Sequence, residues 1–232
     1  MIHHDFHTGN ILLNIKEYDY DRSLSDDSIF ISDMGLCGEV DNTDETKVYG
    51  VVPYLAPEVL RGNPYTQAAD VYSFGMIMHF VATGRQPFAN RAHDQYLELD
   101  ICDGVRPEIN KQEAPNCYID LMKRCYDSNP ENRPKATEIK EMITLFLDSY
   151  RYDMEVEKEQ HYYEIEKQFI EAEEYRKSQL SFFDATIHPQ AIYTCRSINT
   201  LISDRSEYVI SDNNTNNTIN SFKSDYTDCA IS

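Results

Sequence analysis

The sequence is short of positive charge. Its 232 residues carry 21 Lys and Arg against 40 Asp and Glu, a formal net charge of -19 at pH 7. Such an acidic chain repels phosphate backbones and anionic bilayers, which argues against nucleic acid and membrane surfaces as partners. Long apolar runs are lacking too: no stretch approaches the ~18 residues that a membrane-spanning helix needs. The N-terminus is rich in His and Asp and has no apolar core of the kind a secretory leader carries. The cysteines (Cys37, Cys102, Cys117, Cys125, Cys195 and Cys229) include no C-x-x-C pair. They read as reduced thiols of a cytoplasmic protein, with the nucleus as the alternative. No internal repeat is present.

What is there begins at once. His3-His4-Asp5-Phe6-His7-Thr8-Gly9-Asn10 leads into the apolar run Ile11-Leu12-Leu13. After a polar insert from Lys16 to Asp27, a second run, Ile29-Phe30-Ile31, leads into Asp33-Met34-Gly35. The two runs read as short paired strands that bring Asn10 and Asp33 into one cleft. Blander readings exist: Asp33 suits an ordinary turn. His3 and His7, four apart, suggest zinc. That would need a helix through Thr8-Gly9-Asn10, which is turn chemistry, and no Cys or carboxylate pair lies at zinc-site spacing.

The middle of the chain is helical in pattern. Leu36 to Tyr49 reads as an acidic surface loop. Pro57 suits the first turn of a short helix, and Glu58 favours the positive end of that helix. Gln67 to Thr83 is apolar on nearly every face after Asp70, so it reads as a buried helix ending at Gly84. His79 reads as a core histidine. Further helices are expected over Asp94 to Cys102 and Tyr118 to Tyr126. In the latter, Ile119, Leu121, Met122 and Cys125 recur at helical spacing. A last one runs from Thr137 to Leu147. Tyr150 to Gln179 lacks Gly and Pro and continues as a solvated helix, with a short seam at Tyr162, Ile165, Phe169 and Ala172. From Ser181 the chain is rich in Ser, Asn and Thr and is expected to be disordered.

Set in order, these segments resemble a protein kinase. His3 to Asn10 resembles the catalytic loop H-R-D-x-x-x-x-N, Asp33-Met34-Gly35 the D-F-G turn, and Gly50 to Glu58 the G-T-x-x-Y-x-A-P-E segment. Asp70-Val71-Tyr72-Ser73-Phe74-Gly75 resembles D-V-x-S-F-G. Cys125 to Pro134 resembles the C-W-x-x-x-P-x-x-R-P of tyrosine and tyrosine-kinase-like kinases, with Tyr126 in place of Trp. The resemblance covers residues 1–147.

It implies an α+β fold, mainly α-helical: a kinase-like C-lobe with a few short strands, then a long acidic helix over 148–180 and a disordered tail over 181–232. It implies transfer of the ATP γ-phosphoryl group to a protein hydroxyl, with Mg²⁺, or Mn²⁺ in its place. Asp5 would be the catalytic base. Asn10 and Asp33 would hold the metal, and Leu12 would join them in binding the nucleotide. His3, Glu58, Asp70 and Arg133 would be structural: His3 under the metal-binding turn, Glu58 paired with Arg133, Asp70 holding the catalytic-loop backbone. Thr43, Thr46 and Tyr49 would be the activation-loop phosphosites, with ordinary solvated loop residues as the other reading.

Departures qualify the picture. His4 stands for the loop Arg, Met34 for Phe, His7 for a phosphate-contacting Lys, and Val51 for a Thr that bonds the catalytic Asp. Tyr54-Leu55-Ala56-Pro57-Glu58 looks Ser/Thr-like, while His7 and Val51 leave the substrate class open. These 232 residues hold no G-x-G-x-x-G loop, V-A-I-K lysine or hinge, so alone they are expected to be inactive. The rival reading is a non-catalytic, kinase-derived interaction module that takes protein partners through the lobe and the C-terminal helix.

Overall fold

The computed structural model describes residues 2–14, 28–33, 47–151, 160–179 and 187–201. Thr43, Thr46, Met34, Gly35 and the acidic insert lie outside them. Among the described residues the architecture is mainly helical, with two small two-stranded sheets. The first pairs β1 (Ile11–Asn14) with β2 (Ser28–Ile31) antiparallel, Ile11 opposite Ile31. The second pairs β3 (Lys47–Gly50) with β4 (Arg196–Asn199), also antiparallel. Among the described residues no helix is long and apolar enough to cross a membrane.

The helices are α1 (Pro57–Leu60), α2 (Gln67–Thr83), α3 (Gln95–Cys102), α4 (Asn116–Cys125), α5 (Ala136–Arg151) and α6 (Gln160–Gln179). Their ends follow local chemistry. Pro57 opens α1 at the position where its missing N–H costs nothing. Asp94 caps α3 by accepting from the Leu97 N–H at 3.2 Å. Gly84 ends α2 in the left-handed conformation, φ 68°.

α2 is the axis of the fold. Ala69, Tyr72 and Met76 are fully buried on it, and Ile77 and Met78 nearly so. At Gly75 it meets α4 so closely that a Cβ would stand 3.0 Å from the Cys125 Cβ and 3.1 Å from the Tyr126 backbone nitrogen. α4 turns Ile119, Leu121, Met122 and Cys125 to the same core, and α5 adds Phe146.

One buried ion pair ties the ends of this body together. Arg133 donates to both Glu58 oxygens, at 2.6 and 2.7 Å. Its other donors go to the Asp127 and Ala68 carbonyls at 2.9 and 2.8 Å, and its guanidinium lies 5.3 Å from the Tyr72 ring centroid. Every charge is met, which is the condition for such a pair to be tolerated in a core.

Three expectations are corrected here. The helix after 150 is not merely solvated. On α6, Ala172 is buried, Ile165 and Phe169 pack on the core, and Phe169 meets Phe146 edge-on at 5.7 Å. The seam is apolar because the chain's own helices cover it. Nor is the segment beyond 181 wholly without packed structure. Residues 187–201 lie on the helical body and contribute β4; the partner strand, not local propensity, orders them. Finally, Cys102, Cys117 and Cys125 are free thiols, but Cys195 is disulfide-bonded. C-x-x-C spacing reports only local pairs, whereas folding brings distant cysteines together.

Removing one partner of the buried pair leaves the other charge stranded. Arg133→Ala and Glu58→Ala are each expected to lose about 3–5 kcal/mol of stability in urea unfolding, with much less added in the double variant.

His79 gives a second expectation. Its Nε2–H donates to the Glu108 carbonyl at 3.0 Å, and its buried Nδ1 has no partner. Burial therefore holds its pKa below the ordinary 6.5. A folded-state pKa below the unfolded one means that the unfolded chain binds the extra proton. The stabilisation is present above about pH 6.5 and fades as pH falls through that value toward the folded pKa. The stability advantage of wild type over His79→Gln, measured by denaturation, should shrink from pH 7.5 to 5.5.

Candidate active site

The site is built on the segment before β1 and on the first turn of α2. Asp70 faces back along the chain. Its carboxylate accepts from the His3 N–H at 2.7 Å and from the His4 N–H at 3.3 Å. His4 sits at φ 72°, a conformation that a non-glycine residue keeps only when its surroundings hold it.

His3 is the second support. Its Nε2 is 2.9 Å from the Ser32 carbonyl, which can only accept, so Nε2 carries the proton. Nδ1 is then free to accept from the Asp5 N–H at 3.4 Å. A single neutral imidazole thus ties the loop to the end of β2, and stacks on Phe6 at 5.4 Å.

Asp5 is buried at 8% exposure. Asn10, buried beside it, donates through Nδ2 to the Asp5 carbonyl at 2.8 Å and to Oδ2 at 3.4 Å. His7 approaches the same Oδ2 through Nε2 at 3.4 Å. The His7 Nδ1 accepts from the Gly9 N–H at 3.0 Å, so the Nε2 proton points at Asp5. Gly9 has to be small: a Cβ there would stand 2.8 Å from the His7 ring. Val51 is buried and apolar and offers Asp5 no hydrogen bond; Asn10 and His7 supply those contacts.

The Ser32 N–H donates to the Asn10 carbonyl at 2.9 Å, so strand pairing sets Asn10 beside the turn that carries Asp33. Asp33 is exposed at φ 55°. Leu12 is half exposed on β1, as are Leu13, Ile29, Phe30 and Ile31, which together form an apolar ribbon.

Asn10 spends its amide N–H on Asp5 and keeps its oxygen; Asp33 adds an exposed carboxylate. One carboxylate, one amide oxygen and the oxygens of a bound phosphate match what Mg²⁺ accepts. Among the described residues no group of three or more His, Cys, Asp or Glu is arranged to hold a metal by itself. His3 and His7 have their ring nitrogens engaged within the protein, which leaves no lone pairs for the zinc reading.

Sequence reasoning missed a polar cluster at the edge of the site. Gln86 accepts from the Tyr54 hydroxyl at 2.6 Å and donates to the Thr8 Oγ1 at 3.1 Å; Thr8 and Tyr54 are themselves 3.2 Å apart. Tyr54 was visible within its motif, but nothing local marks Gln86. Burial raises the Tyr54 pKa far above its usual value, so this hydroxyl stays a neutral donor. Tyr49, in β3, is half-buried opposite Ser197; Glu58 and Arg133 lie in the core pair described above.

Comparisons with known proteins identify the family. Residues 1–143 match the family described as protein kinase domain, and the chain belongs to that family. Similar curated proteins include one from Dictyostelium discoideum described as a serine/threonine-protein kinase, 35% identical over 67% of this chain and 10% of its own. Another, from Acanthamoeba polyphaga mimivirus, is described as a serine/threonine-protein kinase/receptor, 33% identical over 65% of this chain and 8% of its own. A third, also from Dictyostelium discoideum, is a dual specificity protein kinase, 30% identical over 60% of this chain and 18% of its own. The chain thus spans about a tenth of the length of the first two.

Asp70 carries two loop amides on one charge. Hydrogen bonds to a charged acceptor contribute about 1.5–3 kcal/mol. Asp70→Ala is expected to lose that much in urea unfolding and to speed hydrogen exchange at the His3 and His4 amides, leaving exchange in α4 unchanged.

Proposed function

We propose that the chain is the catalytic-loop half of a protein kinase of the tyrosine-kinase-like branch, its C-lobe from the catalytic loop onward, acting on Ser or Thr hydroxyls. The observation that carries this reading is the Asp5 carboxylate, buried and oriented by Asn10 and His7. A proton acceptor held in one place beside a cation site is what hydroxyl attack on a phosphoryl group requires. In this reading Asp5 takes the proton of the attacking hydroxyl. Asn10 and Asp33 hold Mg²⁺, which when bound neutralises charge on the transferring phosphate. Leu12, on the exposed face of β1, meets the nucleotide. Asp70 and His3 keep Asp5 where it must be, and Glu58 with Arg133 anchors the segment that follows. Thr43, Thr46 and Tyr49 are candidate phosphosites. Of these Tyr49 is half-buried in β3, so its modification would require that strand to open.

The Ser/Thr preference is supported by the printed descriptions of the relatives and by the Tyr54 to Glu58 segment; the dual specificity relative widens the range to test. A second reading, a non-catalytic module that binds a protein partner, is favoured by the exposed ribbon of Leu12, Leu13, Ile29, Phe30 and Ile31, since contiguous exposed apolar residues mark interaction surfaces.

The test joins the chain to an N-terminal kinase lobe and measures phosphate transfer to a protein substrate. Asp5→Asn should lower kcat at least 100-fold, within the range of lost general-base catalysis, while Mg·ATP affinity stays within a few-fold. Asp33→Ala should weaken Mg·ATP binding itself. Equal turnover in wild type and Asp5→Asn would place the base elsewhere, and no transfer from either protein would leave the interaction module as the surviving reading.

A further inference from the structure

Among the described residues two buried side-chain polar atoms have no hydrogen-bond partner, the Tyr72 hydroxyl and the His79 Nδ1. A native fold seldom leaves such an atom unmatched, because its desolvation then goes uncompensated. Tyr72 is enclosed by the core on all sides. His79, only 2% exposed, instead forms part of the wall of a cavity of about 470 Å³. The cavity lies between α2, the turn that follows it and the link before α4. None of the residues proposed for phosphoryl transfer lines it.

The tautomer decides what His79 can receive. Its Nε2 faces the Glu108 carbonyl at 3.0 Å, which can only accept, so Nε2 carries the proton. Nδ1 is left with a lone pair. Burial keeps the ring neutral near pH 7, with a pKa below 6.5. An occupant must therefore bring an O–H or N–H donor to this nitrogen; a bare anion there would meet a lone pair.

The other walls call for something different. Arg91 spends one guanidinium nitrogen on Asp100, and no acceptor among the described residues takes its Nε or Nη1. Arg106 donates to the Tyr126, Ile101 and Val105 carbonyls and to the Ser128 hydroxyl, so its charge is answered by no carboxylate among the described residues. Arg85 is already matched by Glu113 at 2.6 Å. The single carboxylate of the lining, Glu108, is exposed to solvent. In a chain of net charge -19 this hollow is locally basic, and it attracts an anion. Phe88, Val105 and Pro107 add apolar surface. An aromatic ring suits both that surface and the guanidinium planes.

The wall is also formed in advance. Phe88 is buried at φ 57°, and its carbonyl accepts from the Arg91 N–H at 3.1 Å and stands 3.3 Å from the His93 Nε2. A bulky residue stays in that region only when its surroundings fix it, and a fixed wall loses little entropy when a ligand arrives.

We propose that this cavity binds a small hydroxylated aromatic carboxylic acid, its hydroxyl donating to the His79 Nδ1, its carboxylate taken by Arg91 and its ring lying against Phe88, Val105 and Pro107. A compact inorganic oxyanion would leave the apolar wall uncovered. The site stands independently of the kinase reading.

The test titrates the full 232-residue chain at pH 7.5 by NMR with four probes. 4-Hydroxybenzoate carries every function. 4-Methoxybenzoate keeps the oxygen without its proton, phenol lacks the carboxylate, and inorganic phosphate lacks the ring. 4-Hydroxybenzoate should bind with Kd below about 1 mM, at least tenfold more tightly than each of the others, and should shift the His79 Nδ1 resonance. Its affinity should fall at least tenfold in His79→Leu and in Arg91→Gln. Should His79→Leu unfold the chain, the hydroxyl against its methyl ether on wild type still decides. Equal affinity for those two probes, tightest binding by phosphate, or an Arg91→Gln variant that binds as wild type does overturns the proposal. So does binding of none of the four, which would leave water as the partner of Nδ1. No phosphate transfer is read, so the outcome neither rescues nor sinks the kinase reading.

Discussion

The Asp70 carboxylate is the point on which the candidate site depends. It sits in the first turn of α2, so its position is fixed by the packing of Tyr72, Met76 and Gly75 rather than by its own loop. From there it takes the backbone of His3 and His4, which sets His3, which sets the Asp5 amide and the end of β2. A segment with almost no regular structure is thereby held to the rigidity of a core helix. Electrostatic and proton-transfer chemistry needs that rigidity, because a displaced carboxylate loses its advantage with distance.

The Glu58–Arg133 pair does a related job at the other side of α2. It spans residues far apart in sequence, and both its guanidinium and that of Arg106 lie over the Tyr72 ring, 5.3 and 5.1 Å from the ring centroid. Two cations on one ring are tolerable because each also has carbonyl acceptors. Tyr72 thus couples the segment carrying Glu58 to the link before α4.

The helices were legible in the sequence because burial imposes periodicity: Ile119, Leu121, Met122 and Cys125 announce α4, and the unbroken apolar stretch after Asp70 announces α2. The strand pair β1–β2 was legible from its two apolar runs. In the site, the ordered string from His3 to Asn10 was readable, while the engaged tautomers of His3 and His7 and the cluster around Gln86 were not, since they depend on which carbonyl or hydroxyl arrives from elsewhere. The docked face of α6 and strand β4 escaped for the same reason. Arg196-Ser197-Ile198-Asn199 has the composition of a solvated tail, and its order comes from an edge contributed by Lys47–Gly50, far away in the sequence. The helix seam at Ile165, Phe169 and Ala172 was seen, but its partner was not, because periodicity identifies an apolar face without naming what covers it.

The pairing of β3 with β4 has a consequence for the order in which the molecule is made. During synthesis Lys47–Gly50 leaves the ribosome well before Arg196–Asn199 exists, and helices α1 to α6 are completed in between. The helical body, rich in near-neighbour contacts, can therefore close while the edge of β3 still stands open. For that interval a nascent chain offers a bare strand edge to its neighbours on the same message, and the last residues described are the ones that cover it.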